Sequence, residues 1–560
     1  MKGKNEGNTQ RALLFLKIAV VTVAVLTATL PFRAERVLVN KPLLEDCYYT
    51  FAVARNLASG QGITIDGSAW TNGFQPLFTF LIVPLFHLTA DNLLLPIRLV
   101  LLLHWAVFLA TAGVVGRIAQ DAFARGDSNE RSLVLGVGVF LYLCSLFGFM
   151  MHFNGLETGF FLLMLSLAWR YFQIGRMDTG KGQILFGLLL GLVVLARIDA
   201  VFLVVVVCLA SSGLGCGRKR WSGLGKIVRI GGTAFLVSLP WWLYNLVGFG
   251  SLMPSSGKAQ QAWAFSRQLS LYENPGEVPV VVVRAGHALS ALSQGLVPWL
   301  YTSRFGGGVP VLVRLAIIVL ALIYLRREWR ARQDAGGEEN PSGDVFNRTA
   351  VFARTVLLSA LLLAAWYGLS SWAVHFYGRY LAFLILPAAV YAAMPVSRFL
   401  KKSPRIGTAG VAFLTALLLA AVGMAHTGLG IKGNVNFTEQ LQLVRQNVPE
   451  GQRVAAGQSG TLGYFRAGVV NLDGKVNPEA LKYQNRMNAY LEREGIHWLC
   501  DYPSYCRYYL GADWKSWKKV ADKGAFALYH REAPTPRVES TQCESEPLPL
   551  GEAGLLTLLW

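Results

Sequence analysis

The sequence predicts a polytopic α-helical membrane protein that carries a separate α/β domain at its C-terminal end. Three observations predict it. The 560-residue chain is 53% hydrophobic and only 15% charged, with mean hydropathy +0.40, well above an ordinary soluble domain. Its apolar residues gather in about eleven runs approaching bilayer length, near 12–31, 94–116, 132–152, 157–174, 182–198, 200–214, 230–249, 308–325, 351–373, 379–395 and 407–428. After about residue 430 the pattern shifts to short strand-like and amphipathic stretches separated by turn glycines. The expected domains are therefore a membrane module over 1–429 and an α/β domain over 430–560.

A net charge of +19 would suggest a nucleic-acid partner in a soluble chain. Here much of the basic excess lies in short loops between apolar runs, where it sets orientation. No basic, aromatic-interleaved domain of the kind nucleic acid requires is present, so that partner is excluded and membrane lipids take its place. The basic loops Arg218-Lys219-Arg220, Arg326-Arg327 and Lys401-Lys402 all fall on one side of the count, together with Lys2, Lys4 and Arg11. The positive-inside rule makes that side cytoplasmic. An odd number of crossings then leaves the C-terminal domain extracytoplasmic in a multi-pass protein of the plasma (inner) membrane. The first apolar run is longer than a signal-peptide core and lacks a small-residue exit before Pro31-Phe32, so it is expected to be retained.

Residues 32–93 form the first outer loop. With Arg117, Arg125 and Arg131 inside, the chain enters and leaves this loop on the outer face, and Phe74–Leu88 is expected as a juxtamembrane or re-entrant helix. A true short span with Arg117 outside is the alternative. Glu45 and Asp46 open a helix expected to run through Ala58, with Gly60 as its C-terminal stop. Acidic residues in a first turn offset the helix dipole, by about 0.3–1 kcal/mol. The turns Thr64-Ile65-Asp66-Gly67 and Thr71-Asn72-Gly73-Phe74-Gln75-Pro76 add hydrogen-bonding groups suited to sugar hydroxyls. Candidate substrate-binding residues in this loop are Tyr49, Arg55, Asn72 and Gln75. Asp46 and Arg55 stand nine positions apart, about 180° around a helix, so they should not pair.

In the C-terminal region, Arg453-Val454-Ala455-Ala456 and Ala525-Phe526-Ala527-Leu528-Tyr529 read as strands. Gly457, Gly460 and Gly463 precede Tyr464-Phe465 in a spacing that fits no nucleotide fingerprint, so tight turns are expected there. Cys500 and Cys506 lie where oxidation is permitted, and a short-loop disulfide is one arrangement. Cys47 and Cys543, also outside, leave other pairings open. Cys144, Cys208 and Cys216 read as apolar packing residues.

Several motifs in chain order carry a resemblance. The run Glu45-Asp46-Cys47-Tyr48-Tyr49, then Ala54-Arg55-Asn56-Leu57-Ala58, Gly60-Gln61-Gly62 and Thr71 to Leu77, resembles the first loop of GT-C-fold membrane glycosyltransferases, within them the bacterial arabinofuranosyltransferase-like branch. Asn154-Gly155-Leu156-Glu157-Thr158, Ala196-Arg197-Ile198-Asp199-Ala200, Phe249 to Pro254 with Lys258, His375-Phe376-Tyr377-Gly378-Arg379-Tyr380 and Asn471 to Asn477 extend it over most of the chain. The resemblance implies a polyprenyl-phosphate-linked sugar as donor and a glycan or lipid-linked acceptor. It also implies a catalytic base at the start of the first outer loop, here Asp46, with Glu45 as neighbour or stand-in.

The chemistry is consistent with those residue types. A single displacement at an anomeric carbon needs one carboxylate for the acceptor proton and cations for the departing phosphate. Arg197, Lys258 and Arg379 lie at span ends on the outer face, beside His375, and form the candidate phosphate set, although basic side chains at span ends also snorkel to headgroups. Asp199 is placed to pair with Arg197, and Glu157 to cap its turn with Asn154. No cysteine and histidine spacing resembles a zinc site, and Glu45 with Asp46 leaves a divalent cation open. A transporter or flippase of lipid-linked sugars is the alternative. It would show paired internal repeats and midplane charges, and neither is plain in this sequence.

Overall fold

The computed structural model describes residues 2–89, 92–124, 127–212, 220–262, 280–301, 308–334, 341–369, 378–427 and 436–532. The chain divides into two compact units. The first comprises Met1–Cys47, Gln75–Leu239 and Gln260–Lys432, and the second gathers Tyr48–Phe74, Pro240–Ala259 and Gly433–Trp560. The break near 430 is thus one of several, and most of the first loop's polar segment groups with the C-terminal residues.

The first unit is helical. Six helices among the described residues are long and apolar enough to cross a membrane: Thr9–Phe32, Leu95–Phe123, Gly223–Phe249, Asp344–Tyr367, Gly378–Lys402 and Pro404–Thr427. Ser128–Leu143 and Leu146–Phe153 pass the same test together, bent by 62°. The bend falls at Ser145, whose hydroxyl accepts the Gly148 N–H at 2.9 Å and starts a new helix there. The runs near 157–174, 182–198 and 200–214 form helices of 16, 17 and 12 residues. At about 1.5 Å per residue these are shorter than a hydrocarbon core of about 30 Å, and among the described residues six helices, or seven with the bent pair taken as one, pass by length and composition. Pro76–His87, also with 12 residues, lies where the juxtamembrane or re-entrant helix is expected.

Small residues let these helices approach closely, which is the packing available where lipid removes the hydrophobic drive between helices. A Cβ on Gly138 would meet the Gly116 backbone at 2.9 Å, and one on Gly191 would meet Val237 at 2.6 Å.

The second unit holds a five-stranded sheet in the order β2-β1-β3-β5-β4. Its strands are β1 Val454–Ala456, β2 Val469–Asn471, β3 Trp498–Asp501, β4 Lys518–Lys523 and β5 Phe526–His530. β1 pairs in parallel with both β2 and β3, whereas β5 runs antiparallel to β3 and β4. All three residues of β1 are buried, as expected for a central parallel strand covered on both faces. Val454, Ala456, Val469, Cys500 and Leu528 form the core with Leu441 and Val444. These last two come from the helix Phe437–Asn447, which Asn436 caps by accepting the Thr438 N–H.

The chain leaves β1 for β2 on one side and reaches β3 on the other, so the carboxyl ends of β1 and β3 form a topological switch point, the usual ligand crevice of such sheets. The first-loop segment belongs to the same unit. Asn72 donates to the Asn245 side chain at 2.9 Å and accepts the Ser255 N–H at 3.0 Å. Gly73 lies so close to the Lys475 carbonyl that any Cβ would overlap it. Cys500 and Cys506, the disulfide candidates, are separate buried thiols, as is Cys47. Cys216 and Cys543 lie outside the described residues.

Candidate functional site

Glu45 and Asp46 occupy the turn that precedes the helix Cys47–Ala58, rather than its first residues. The turn rests on a second one. Leu44 N–H donates to the Asn154 carbonyl at 3.0 Å, and Gly155, with φ +79°, lets the two approach. A Cβ on Gly155 would lie 2.7 Å from the Cys47 sulfur. The Asn154-Gly155 motif is therefore the seat of the acidic turn.

The Asp46 carboxylate accepts a hydrogen bond from Arg379 Nη1 at 3.2 Å. Their side chains are 29% and 20% exposed, so water and solutes reach both. Arg197, by contrast, is 4% exposed. Its fork grips Asp199 through Nε at 3.0 Å and Nη2 at 2.5 Å, while Nη1 turns to Glu157 at 3.3 Å and to the Arg379 carbonyl at 3.4 Å. Tyr367 donates to Asp199 at 3.2 Å and stacks on Tyr380 with ring centroids 4.5 Å apart. Both guanidinium groups lie over the Tyr380 ring, at 5.5 and 5.8 Å. Gln75 closes the edge by accepting the Ile198 N–H at 3.0 Å.

This arrangement separates the two arginines. The charge of Arg197 is committed to two carboxylates away from water, where such a pair is costly to break. Arg379 keeps solvent access beside the one exposed carboxylate of the set. An incoming phosphate would compete with Asp46 for Arg379 far more readily than with Asp199 for Arg197. Asp199 pairs as its spacing indicates. Glu157 goes to Arg197 rather than to Asn154, whose side chain instead accepts the Leu156 N–H at 2.9 Å. Sequence reasoning missed Tyr367 and Tyr380 as site residues, and only the adjacency of Tyr380 to Arg379 pointed to them.

His375 falls outside the described residues. Lys258 belongs to the second unit, where partial burial pulls its ammonium below the usual lysine range. Arg55 donates to the Tyr464 carbonyl at 2.6 Å and lies over the Tyr464 ring. The Tyr49 hydroxyl meets Gly457, Ser459 and Asn471. Among the described residues, no group of three or more His, Cys, Asp or Glu side chains could hold a metal ion.

The second unit adds Asp501, which no sequence signal singled out. It ends β3 with no exposed surface, and its carboxylate accepts the N–H groups of Gly457, Gln458 and Tyr502 at 2.7, 3.0 and 2.7 Å. Burial pushes this carboxyl up to about 7 against the pull of those three donors, with Asp473 adding to the rise. Cys500, Cys506, Tyr505 and Tyr509 also face it electrostatically. An unfolded aspartate titrates near 3.9, so between about 4 and 7 the folded domain holds a proton that the unfolded chain has lost. Stability of the sheet should therefore fall as pH rises through this window and level off above it. Hydrogen exchange of β1 and β3 at pH 5 and pH 8 should show the slope in wild type. Asp501→Asn should flatten it.

Residues 432–539 match a domain of unknown function, DUF8728. No curated protein matches the chain. Among solved structures, ArnT from Cupriavidus metallidurans bound to undecaprenyl phosphate is similar at 12% identity and TM-score 0.55, over 94% of this chain and 100% of that one. The apo oligosaccharyltransferase of Archaeoglobus fulgidus matches at 14% identity and TM-score 0.49, over 87% of this chain and 69% of that one. At such identities the ArnT likeness shows the fold. The chain is a multi-pass α-helical membrane protein of GT-C architecture.

Proposed function

We propose that this protein is a membrane glycosyltransferase that moves a sugar from a polyprenyl-phosphate donor to a glycan or lipid-linked acceptor on the outer face of the plasma membrane. The observation that carries the reading is the solvent-accessible Asp46–Arg379 pair, 3.2 Å apart, set on a buried ionic base. It offers a proton acceptor and a phosphate-binding cation side by side, in a fold shared with a protein crystallised on undecaprenyl phosphate.

In the proposed step an acceptor hydroxyl oxygen attacks the anomeric carbon as the bond from that carbon to the phosphate oxygen breaks. The hydroxyl proton passes to Asp46. The bonding pair departs on the phosphate, whose charge Arg379 meets with a charge-assisted hydrogen bond. Lys258 and His375 remain proposed phosphate ligands, and Glu45 a support for Asp46 or a cation ligand. Arg197 becomes a positioning residue that holds the Arg379 backbone. Tyr49, Arg55, Asn72 and Gln75 are reassigned to scaffolding, because each spends polar atoms on the protein itself. A cytoplasmic N-terminus and an extracytoplasmic C-terminal domain complete the proposal.

Arg379→Ala should weaken binding of undecaprenyl phosphate by about tenfold to hundredfold, the value of one hydrogen bond to a charged group, with unchanged thermal stability in detergent. Native mass spectrometry of the purified protein titrated with this lipid measures both the binding and any copurifying polyprenyl phosphate. Equal affinity in the variant would remove Arg379 from the phosphate site.

A further inference from the structure

We infer that Tyr49 is a positioning residue, and that the switch-point crevice of the α/β domain serves as its socket, anchoring the helix Cys47–Ala58 that immediately follows the Glu45-Asp46 turn. The inference rests on the reading of Asp46 as the acceptor's base.

A sheet of this topology ordinarily takes a ligand at the carboxyl ends of its central strands, where backbone N–H groups are left to bind an anion. Here those groups are already satisfied. Gly457 and Gln458 donate to Asp501 of the neighbouring strand. The next residue, Ser459, donates its N–H to the Tyr49 hydroxyl at 3.3 Å, and that hydroxyl donates to the Gly457 carbonyl at 3.2 Å. Asn471, at the end of β2, reaches the same hydroxyl at 3.4 Å and the Ser459 hydroxyl at 2.9 Å. Tyr509 crowds Gly457 so closely that no Cβ would fit there.

Tyr49, Ser459 and Asn471 are all at most 4% exposed. The glycine-rich turn therefore holds a side chain of its own protein where related architectures hold a phosphate. Arg55, six residues further along the same helix, adds a second tie to the Tyr464 carbonyl. The tyrosine lies three residues beyond Asp46, so the helix it anchors starts where the acidic turn ends. A helix free to shift by even 1 Å would misplace a group whose value depends on geometry.

Tyr49→Phe keeps the ring and removes the hydroxyl. With undecaprenyl-phosphate hexoses and pentoses as donors, turnover should fall about tenfold, the value of one buried hydrogen bond, while the KM for donor stays within about twofold. Asn471→Ser removes only the longest of the hydroxyl's three hydrogen bonds and should cost less. The double variant should lose no more than Tyr49→Phe alone, because the Asn471 contact is already gone once the hydroxyl is removed. Hydrogen exchange of residues 47–58 should accelerate in each variant. Losses that multiply, or wild-type turnover with unchanged exchange in Tyr49→Phe, would overturn the inference. If the wild-type protein transfers no sugar, the glycosyltransferase reading fails separately, and the exchange of residues 47–58 alone decides whether the socket holds the helix.

Discussion

Asp46→Asn is expected to reduce sugar transfer by about 10²- to 10⁴-fold, the usual worth of a positioned general base, while the protein still folds and still binds undecaprenyl phosphate. The amide has nearly the same shape and can still accept one hydrogen bond from Arg379, but it takes no proton from an acceptor hydroxyl. It also withdraws the negative charge beside Arg379, so the arginine is left more available to an anion. Binding of undecaprenyl phosphate should therefore be unchanged or tighter, opposite in direction to Arg379→Ala. That opposition is the informative part. Single-turnover kinetics with the donor in excess, set beside a lipid titration, would show both effects on one preparation. Transfer at the wild-type rate would remove Asp46 as base and turn attention to Glu45. Loss of binding together with transfer would mean that the carboxylate shapes the site rather than acting on the proton.

Much of the membrane architecture was legible because hydropathy and loop charge are local properties, read without knowing what packs against what. Their limit shows at the runs near 157–174, 182–198 and 200–214. Hydropathy marks these as apolar, but helix length there is set by the start at Thr179, whose hydroxyl accepts the Gly182 N–H, and by the break at Arg197, whose side chain is held by Asp199 and Glu157. The acidic turn was legible as an unusual place for two carboxylates. Helical spacing argued against an Asp46–Arg55 pair, but Asp46 lies in the turn before the helix, so the 100° step per residue does not reach it. Asp46 pairs with Arg379, and Arg55 with the Tyr464 carbonyl. No such constraint links Asp46 to Arg379, which lies 333 positions away. Sequence spacing therefore assigned them separate roles, and the fold brings them together. Asp501 was illegible for the same reason. Its character comes from burial and from N–H groups on the turn after another strand, and nothing in Cys500-Asp501-Tyr502 reports either. Charge alone also placed Arg197 and Arg379 in one class, whereas burial and partners divide them.

That division predicts the second large effect, and it concerns folding rather than chemistry. Arg197→Met should cost about 3–5 kcal/mol, the usual penalty for removing one partner of a buried ion pair, out of a total stability of about 5–15 kcal/mol. Two carboxylates, Asp199 and Glu157, would lose the cation that holds them in a site nearly closed to water. The Arg379 carbonyl would lose its contact with Nη1. The expected result is a sharp fall in the yield and thermal stability of detergent-extracted protein. Arg197→Lys should be intermediate, because an ammonium keeps the charge but lacks the planar fork that bridges Nε and Nη2 to Asp199. Adding Asp199→Asn to Arg197→Met should recover part of the loss by removing one of the two orphaned charges, which a simple cavity explanation would not predict. Fluorescence-detected size-exclusion after heating ranks the three variants against wild type. If Arg197→Met keeps wild-type stability and loses only its affinity for undecaprenyl phosphate, Arg197 returns to the phosphate site and the buried pair is not what holds Arg379 in place.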